Sequence, residues 1–172
     1  YIVCANWLGS NYGSTGPVSK NPATGRPWDR TFPQVAISDM TRALKALADH
    51  LCIARWTAAV GGSVGGLIAL DYAARYPEAL RGVVPMATAF RASPWVIAFH
   101  EIMRRILSVG RDAGNEEILG RALEAARMVG IMTYRSRKEF VSRYRRARAE
   151  LNWQDEGCCF AVESYLRHQG MK

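Results

Sequence analysis

Histidine is scarce in this chain, with three among 172 residues, and the four cysteines never fall into a C-x-x-C pair. Cys4 and Cys52 stand alone and Cys158 and Cys159 are adjacent, which suits neither a tetrahedral zinc site nor a regular disulfide framework. No metal is therefore expected, and the thiols read as reduced and mostly buried. Long apolar runs are lacking too: no stretch approaches the roughly 20 residues of a membrane span, and no charged-then-apolar leader opens the chain. These absences point to a cytoplasmic protein with no membrane partner. Acidic residues are the minority charge, 15 against 23 Lys and Arg, for a net charge of +8.

What the chain does have is apolar material, 49% of its residues, enough to bury a core of one domain's size. At its centre stands Gly61, Gly62, Ser63, Val64, Gly65, a G-x-S-x-G pentapeptide with a short apolar run before it (56–60) and a helical run after it (65–76). A serine nucleophile needs that setting, a sharp strand-to-helix turn at which only small neighbours fit. The motif alone is weak, because a structural Gly-rich turn looks similar. Leu67, Leu70 and Ala74 share helical spacing on the segment that follows.

Strand-like runs at 1–5, 56–60 and 81–86 alternate with helices at 39–51 and 65–76, a β-α-β-α-β order that predicts an α/β fold with a parallel sheet. Asp39 reads as the N-cap of the first helix, whose Met40, Leu44, Leu47 and Leu51 form one apolar face. A loop rich in Gly, Ser, Asn and Pro fills 9–33. Pro85 suggests the C-terminal end of the last strand. Beyond it, helices are predicted at 94–107, 115–134, 137–153 and 156–168, so residues 1–93 read as a partial sheet-bearing core and 94–172 as an inserted helical lid.

Seven basic residues lie between Arg135 and Arg148 against the single acid Glu139. The run fits a solvated helix face with acidic partners elsewhere, a site for an anionic cofactor such as a coenzyme A phosphate, or, least well, nucleic acid. One aromatic within it, Tyr144, does not make a base-stacking platform. The chain starts at Tyr1 directly in a strand-like run, which reads as an internal piece of a longer protein.

The segment Asn6, Leu8, Gly9, Gly13, Ser14, Thr15, Gly16, Pro17 (N-x-L-G-x-x-x-G-S-T-G-P) resembles the homoserine O-acetyltransferase family of the α/β-hydrolase superfamily. The match continues through the elbow to Gly66, through Ala87, Thr88 and Ala89, through Ala126, Arg127, Met128, Val129 and Gly130, and to Glu163, Ser164, Tyr165, Leu166. It implies an α/β-hydrolase sheet with a helical lid, and acetyl transfer from acetyl-CoA to the hydroxyl of L-homoserine, a step of methionine biosynthesis. No bound cofactor is implied, since acetyl-CoA acts as a substrate.

In that resemblance Ser63 carries the acyl group, the backbone N–H of Val64 helps to hold the oxyanion, and Arg127 grips the amino-acid carboxylate. Tyr134 also follows the pattern, as a core aromatic. Pairing of two copies through the lid is implied as well. The segment between Leu107 and Arg127 is shorter than in typical members, and the family's acid and catalytic histidine lie downstream of this chain, so the chain alone is expected to be inactive. Asp155 and His168 follow the superfamily order of acid then histidine, but like His50 and His100 they read as ordinary helix residues. The alternatives are a serine or homoserine acyltransferase using another donor such as succinyl-CoA, an esterase, or a non-catalytic paralogue.

Overall fold

Val60 and Val83–Val84 flank the glycine-rich turn and build a parallel ladder, β1 (Ala59–Gly62) beside β2 (Val83–Met86), in a computed structural model that describes residues 1–10, 12–148 and 160–171. Cα partners run from Ala59 with Val83 to Gly62 with Met86. The ladder is prolonged by a bridge between Trp56 and Leu80. Ala59 N–H donates to Gly82 C=O and Ser63 N–H to Met86 C=O, so even-numbered residues of β2 face β1. Pro85 faces away, and its missing N–H leaves this ladder intact. The strand accordingly runs through Pro85 to Met86.

The chain divides into two compact units, Tyr1–Arg91 and Ala92–Lys172. In the first, α2 (Val64–Arg75) packs on both strands, and α1 (Ile37–His50) packs on α2. The α1 core residues are Thr41 and Ala48, whereas Leu51 lies past the helix end and is exposed. Asp39 is not the N-cap: that position is Ala36, whose N–H donates to the Asp39 carboxylate at 2.8 Å from within the first turn. This hydrogen bond, with Arg42 nearby, holds the Asp39 carboxyl below its ordinary range.

Helix α2 buries Gly66, Ile68, Ala69 and Tyr72; of the residues at helical spacing, Leu67 and Leu70 are half-buried and Ala74 is exposed. The helix is apolar almost all round, so periodicity does not choose a face; the turn at Ser63 does. Residues 1–5 pair with no strand among the described residues. Val3, Cys4 and Ala5 instead lie across a groove of about 340 Å³ from β1, beyond the reach of a ladder hydrogen bond. Cys4 and Cys52 are free and exposed, contrary to the buried thiols expected; Cys158 and Cys159 lie outside the described residues.

The loop at 9–33 holds an isolated bridge, Lys20 with Pro27, and a turn of 3-10 helix at Asp29–Thr31. Its glycines have a steric reason. Gly9 and Gly13 hold positive φ (88° and 59°), and a Cβ on Gly13 would lie 2.6 Å from Asn6 Nδ2.

The second unit is helical: α3 (Pro94–Asp112), α4 (Glu116–Thr133), α5 (Arg137–Tyr144) and α6 (Ala161–Met171). Ser93, Asn115 and Ser136 cap the first three, each side-chain oxygen accepting a first-turn N–H. Helix α4 packs on α3 where Gly110 meets Ala122, and on α6 where Gly170 lies against Glu124 and Met128. Helix α5 is shorter than predicted. It stops at Tyr144 because Arg145 turns to a positive φ of 48°; residues 149–153 lie outside the described set. Tyr134 ends α4 with 79% of its surface exposed, so it is not a core aromatic. Among the described residues no helix is long and apolar enough to cross a membrane.

Candidate active site

Four glycines around one serine have to turn a strand into a helix within a few residues, and the structure shows which of them the turn requires. A Cβ on Gly61 would collide with the carbonyl of Gly65, and one on Gly66 would lie 2.5 Å from Thr88 Cγ2. Gly62 and Gly65 have open space instead. Gly61 and Gly66 are thus the close-approach positions. Gly66 stands one residue past the pentapeptide, which explains why the motif by itself does not reveal it.

Ser63 sits between them at φ 53°, ψ −116°, conformational space that a serine seldom occupies. It is exposed. Its N–H donates to Met86 C=O at 2.9 Å and its C=O accepts from Leu67 N–H at 3.1 Å, so the backbone is fixed on both sides of an exposed residue. Strain of this kind, held by bonds on both flanks, is characteristic of functional turns. Val64 opens α2, and as a first-turn amide its N–H has no carbonyl four residues back to bond. An exposed hydroxyl beside unpaired helix N-terminal donors is equipped to take an acyl group and to hold the negative oxygen that forms on the way.

Within the Tyr1–Arg91 unit no hydrogen bond joins the Ser63 hydroxyl to a histidine or a carboxylate among the described residues, and His50 ends α1 in an exposed position. His100 and His168 are exposed helix residues of the other unit, and Asp155 lies outside the described residues. No group of three or more His, Cys, Asp or Glu able to hold a metal ion occurs among the described residues.

Arg127 belongs to the helical unit, on α4, where its Nη1 donates to Gly170 C=O at 3.2 Å in a part-buried bond of an otherwise exposed residue. The basic run has more varied partners than its sequence suggests. Arg135 pairs with Glu139, Arg143 lies over the rings of Tyr144 and Tyr165 (5.7 and 5.9 Å), and Arg146 lies over Phe160 at 5.3 Å. Tyr165 of the E-S-Y-L segment packs on Phe140 and Tyr144, and the Glu163 carboxylate accepts Phe160 N–H at 2.8 Å. These residues hold the helices together.

Residues 2–123 match the family model described as alpha/beta hydrolase fold. The whole chain is 43% identical over 179 residues to a homoserine O-acetyltransferase of Moorella thermoacetica, covering 48% of that protein. It is 39% identical to a homoserine O-succinyltransferase of Bordetella pertussis, again over the whole chain and 44% of the relative. The crystal structure of a homoserine O-acetyltransferase from Bacillus anthracis superposes with a TM-score of 0.76 at 22% identity, over 92% of this chain and 44% of that one, a likeness of fold. The chain thus spans about half the length of the curated relatives it matches. With a strained serine at a strand-to-helix turn and a family model covering most of its length, the chain belongs to the alpha/beta hydrolase fold family, and all of it is homologous to part of the homoserine O-acetyltransferases.

Proposed function

We propose that this chain is the nucleophile-bearing half of a homoserine O-acetyltransferase, and that Ser63 carries the acetyl group. The observation behind it is the exposed serine held at φ 53° at the N-terminus of α2. In the first half-reaction Ser63 Oγ forms a bond to the thioester carbonyl carbon, the C–S bond breaks, and coenzyme A leaves as the thiol, taking the serine proton by way of a general base. The Val64 N–H stabilises the tetrahedral oxyanion. The homoserine hydroxyl then attacks the acyl-serine and releases O-acetylhomoserine, a reaction placed in methionine biosynthesis. Acetyl-CoA enters as a substrate, and no bound cofactor takes part.

Arg127 holds the homoserine carboxylate. Its bond to Gly170 anchors one nitrogen of the guanidinium, and the planar fork suits a carboxylate on its remaining edge. The base and its carboxylate partner come from the part of the relatives' length that this chain does not span, so the chain alone is inactive. The same proposal has the whole enzyme acting in the cytoplasm and pairing with a second copy through its helical region.

A donor other than acetyl-CoA is favoured by one finding, the succinyltransferase that matches almost as well. Intact-mass spectrometry of the full-length protein decides. Incubation with acetyl-CoA should place one acetyl group on Ser63, lost in Ser63→Ala, while succinyl-CoA should leave the protein unmodified. A succinyl adduct alone would reverse the choice of donor. No adduct from either donor, with ready hydrolysis of simple esters, would make the enzyme an esterase, in which water resolves the acyl-serine.

A further inference from the structure

Beside Ser63, one other residue at the elbow adopts a left-handed backbone without being glycine: Ala87, at φ 49°. The two strained residues are linked. Ser63 N–H donates to the carbonyl of Met86, the residue immediately before Ala87. Immediately after it, half-buried Thr88 sets its Cγ2 methyl against the backbone of Gly66, where a Cβ would find that methyl at 2.5 Å and the Thr88 Cβ at 3.0 Å. Residues 86–88 therefore touch the elbow on both sides of the serine, by a hydrogen bond at Ser63 and by a methyl contact at the first turn of α2.

Glycine would take a positive φ without steric cost, yet alanine stands at 87. A strained residue persists where its surroundings over-determine it, and such residues gather at functional sites. Alanine also removes the alternative backbone states that glycine would allow at this point. We propose that residues 86–88 form a positioning device for Ser63. The left-handed turn at Ala87 presents the Thr88 methyl to Gly66, and this contact together with the Met86 carbonyl sets the direction in which the Ser63 hydroxyl leaves the turn. Thr88 is a positioning residue and reaches no substrate. Its part is played by the methyl group, since Thr88 Oγ1 makes no hydrogen bond among the described residues.

The inference rests on Ser63 being the acyl-carrying serine, and the test separates the two. In the full-length protein, the rate at which a fluorophosphonate probe modifies Ser63 is measured alongside Tm, kcat and KM. The serine oxygen displaces fluoride from phosphorus, so the rate reports how well the hydroxyl is aimed. Thr88→Val, which keeps the methyl, should react at the wild-type rate. Thr88→Ser and Ala87→Gly should each react about tenfold more slowly, with kcat reduced in step and both KM and Tm unchanged. Wild-type labelling rates in Thr88→Ser, equal slowing in Thr88→Val, or rate losses that merely follow a fall in Tm would each overturn the positioning role and leave Ser63 as nucleophile. A wild-type protein that takes no probe at Ser63 would remove the acyl-serine reading and this one with it.

Discussion

The glycines of the elbow carry unequal loads, and only the close approaches in space distinguish them. Gly61 faces the Gly65 carbonyl, a main-chain neighbour that cannot swing aside, whereas Gly62 faces nothing within 4 Å. Gly61→Ala should therefore destabilise the full-length protein by about 2 kcal/mol or more and abolish Ser63 labelling. Gly62→Ala should change stability by no more than about 0.5 kcal/mol. Chemical denaturation of both variants makes the comparison, and equal stabilities would contradict the close approach. Ser63 itself was legible as a candidate, because the chemistry of a nucleophile elbow imposes small residues at fixed sequence spacing. Thr88 was not, because its contact with Gly66, 22 positions away in the chain, follows from the pairing of β2 beside β1, which no local pattern records.

Helix starts were written in the sequence more clearly than helix ends. Ser93 before Pro94, then Asn115 and Ser136, satisfy first-turn N–H groups with their own side chains, and α3, α4 and α5 begin there. The ends depended on packing. Helix α3 runs to Asp112, past the Leu107 expected, with Gly110 set directly against Ala122 of α4. A glycine that reads as a helix breaker serves here to let two helices approach. Gly110→Ala should cost about 1–3 kcal/mol by forcing α3 and α4 apart. Adding Ala122→Gly should return part of that loss, after allowance for the weaker helix propensity of glycine. A double-mutant cycle on thermal unfolding measures the coupling, and strict additivity would show that the two residues do not meet. The first predicted strand failed for a related reason: residues 1–5 have strand-like composition, but a strand is completed by a neighbour's hydrogen bonds, and β1 lies across a groove from them.

At the scale of the molecule, apolar surface exceeds what the described elements cover. Val60 is 63% exposed on β1, and Val84 and Met86 about half exposed on β2. Even-numbered residues of β1 direct their backbone groups away from β2, an edge that pairs with no strand among the described residues. The 172-residue chain expressed alone should bind an apolar dye such as ANS strongly and self-associate, while the full-length protein should do neither. Weak dye binding by the isolated chain would show that these faces are covered without further protein. The sequence by itself determined the fold family, the candidate serine and the starts of α3, α4 and α5, because each depends on residue type at short, fixed spacings. Tertiary structure alone decided which face of α2 is buried, which glycines make close approaches, that residues 1–5 pair with no strand among the described residues, and that residues 86–88 brace the elbow. Those outcomes arise from contacts between segments far apart in the chain, where the nearest atom in space has no fixed place in the order of residues.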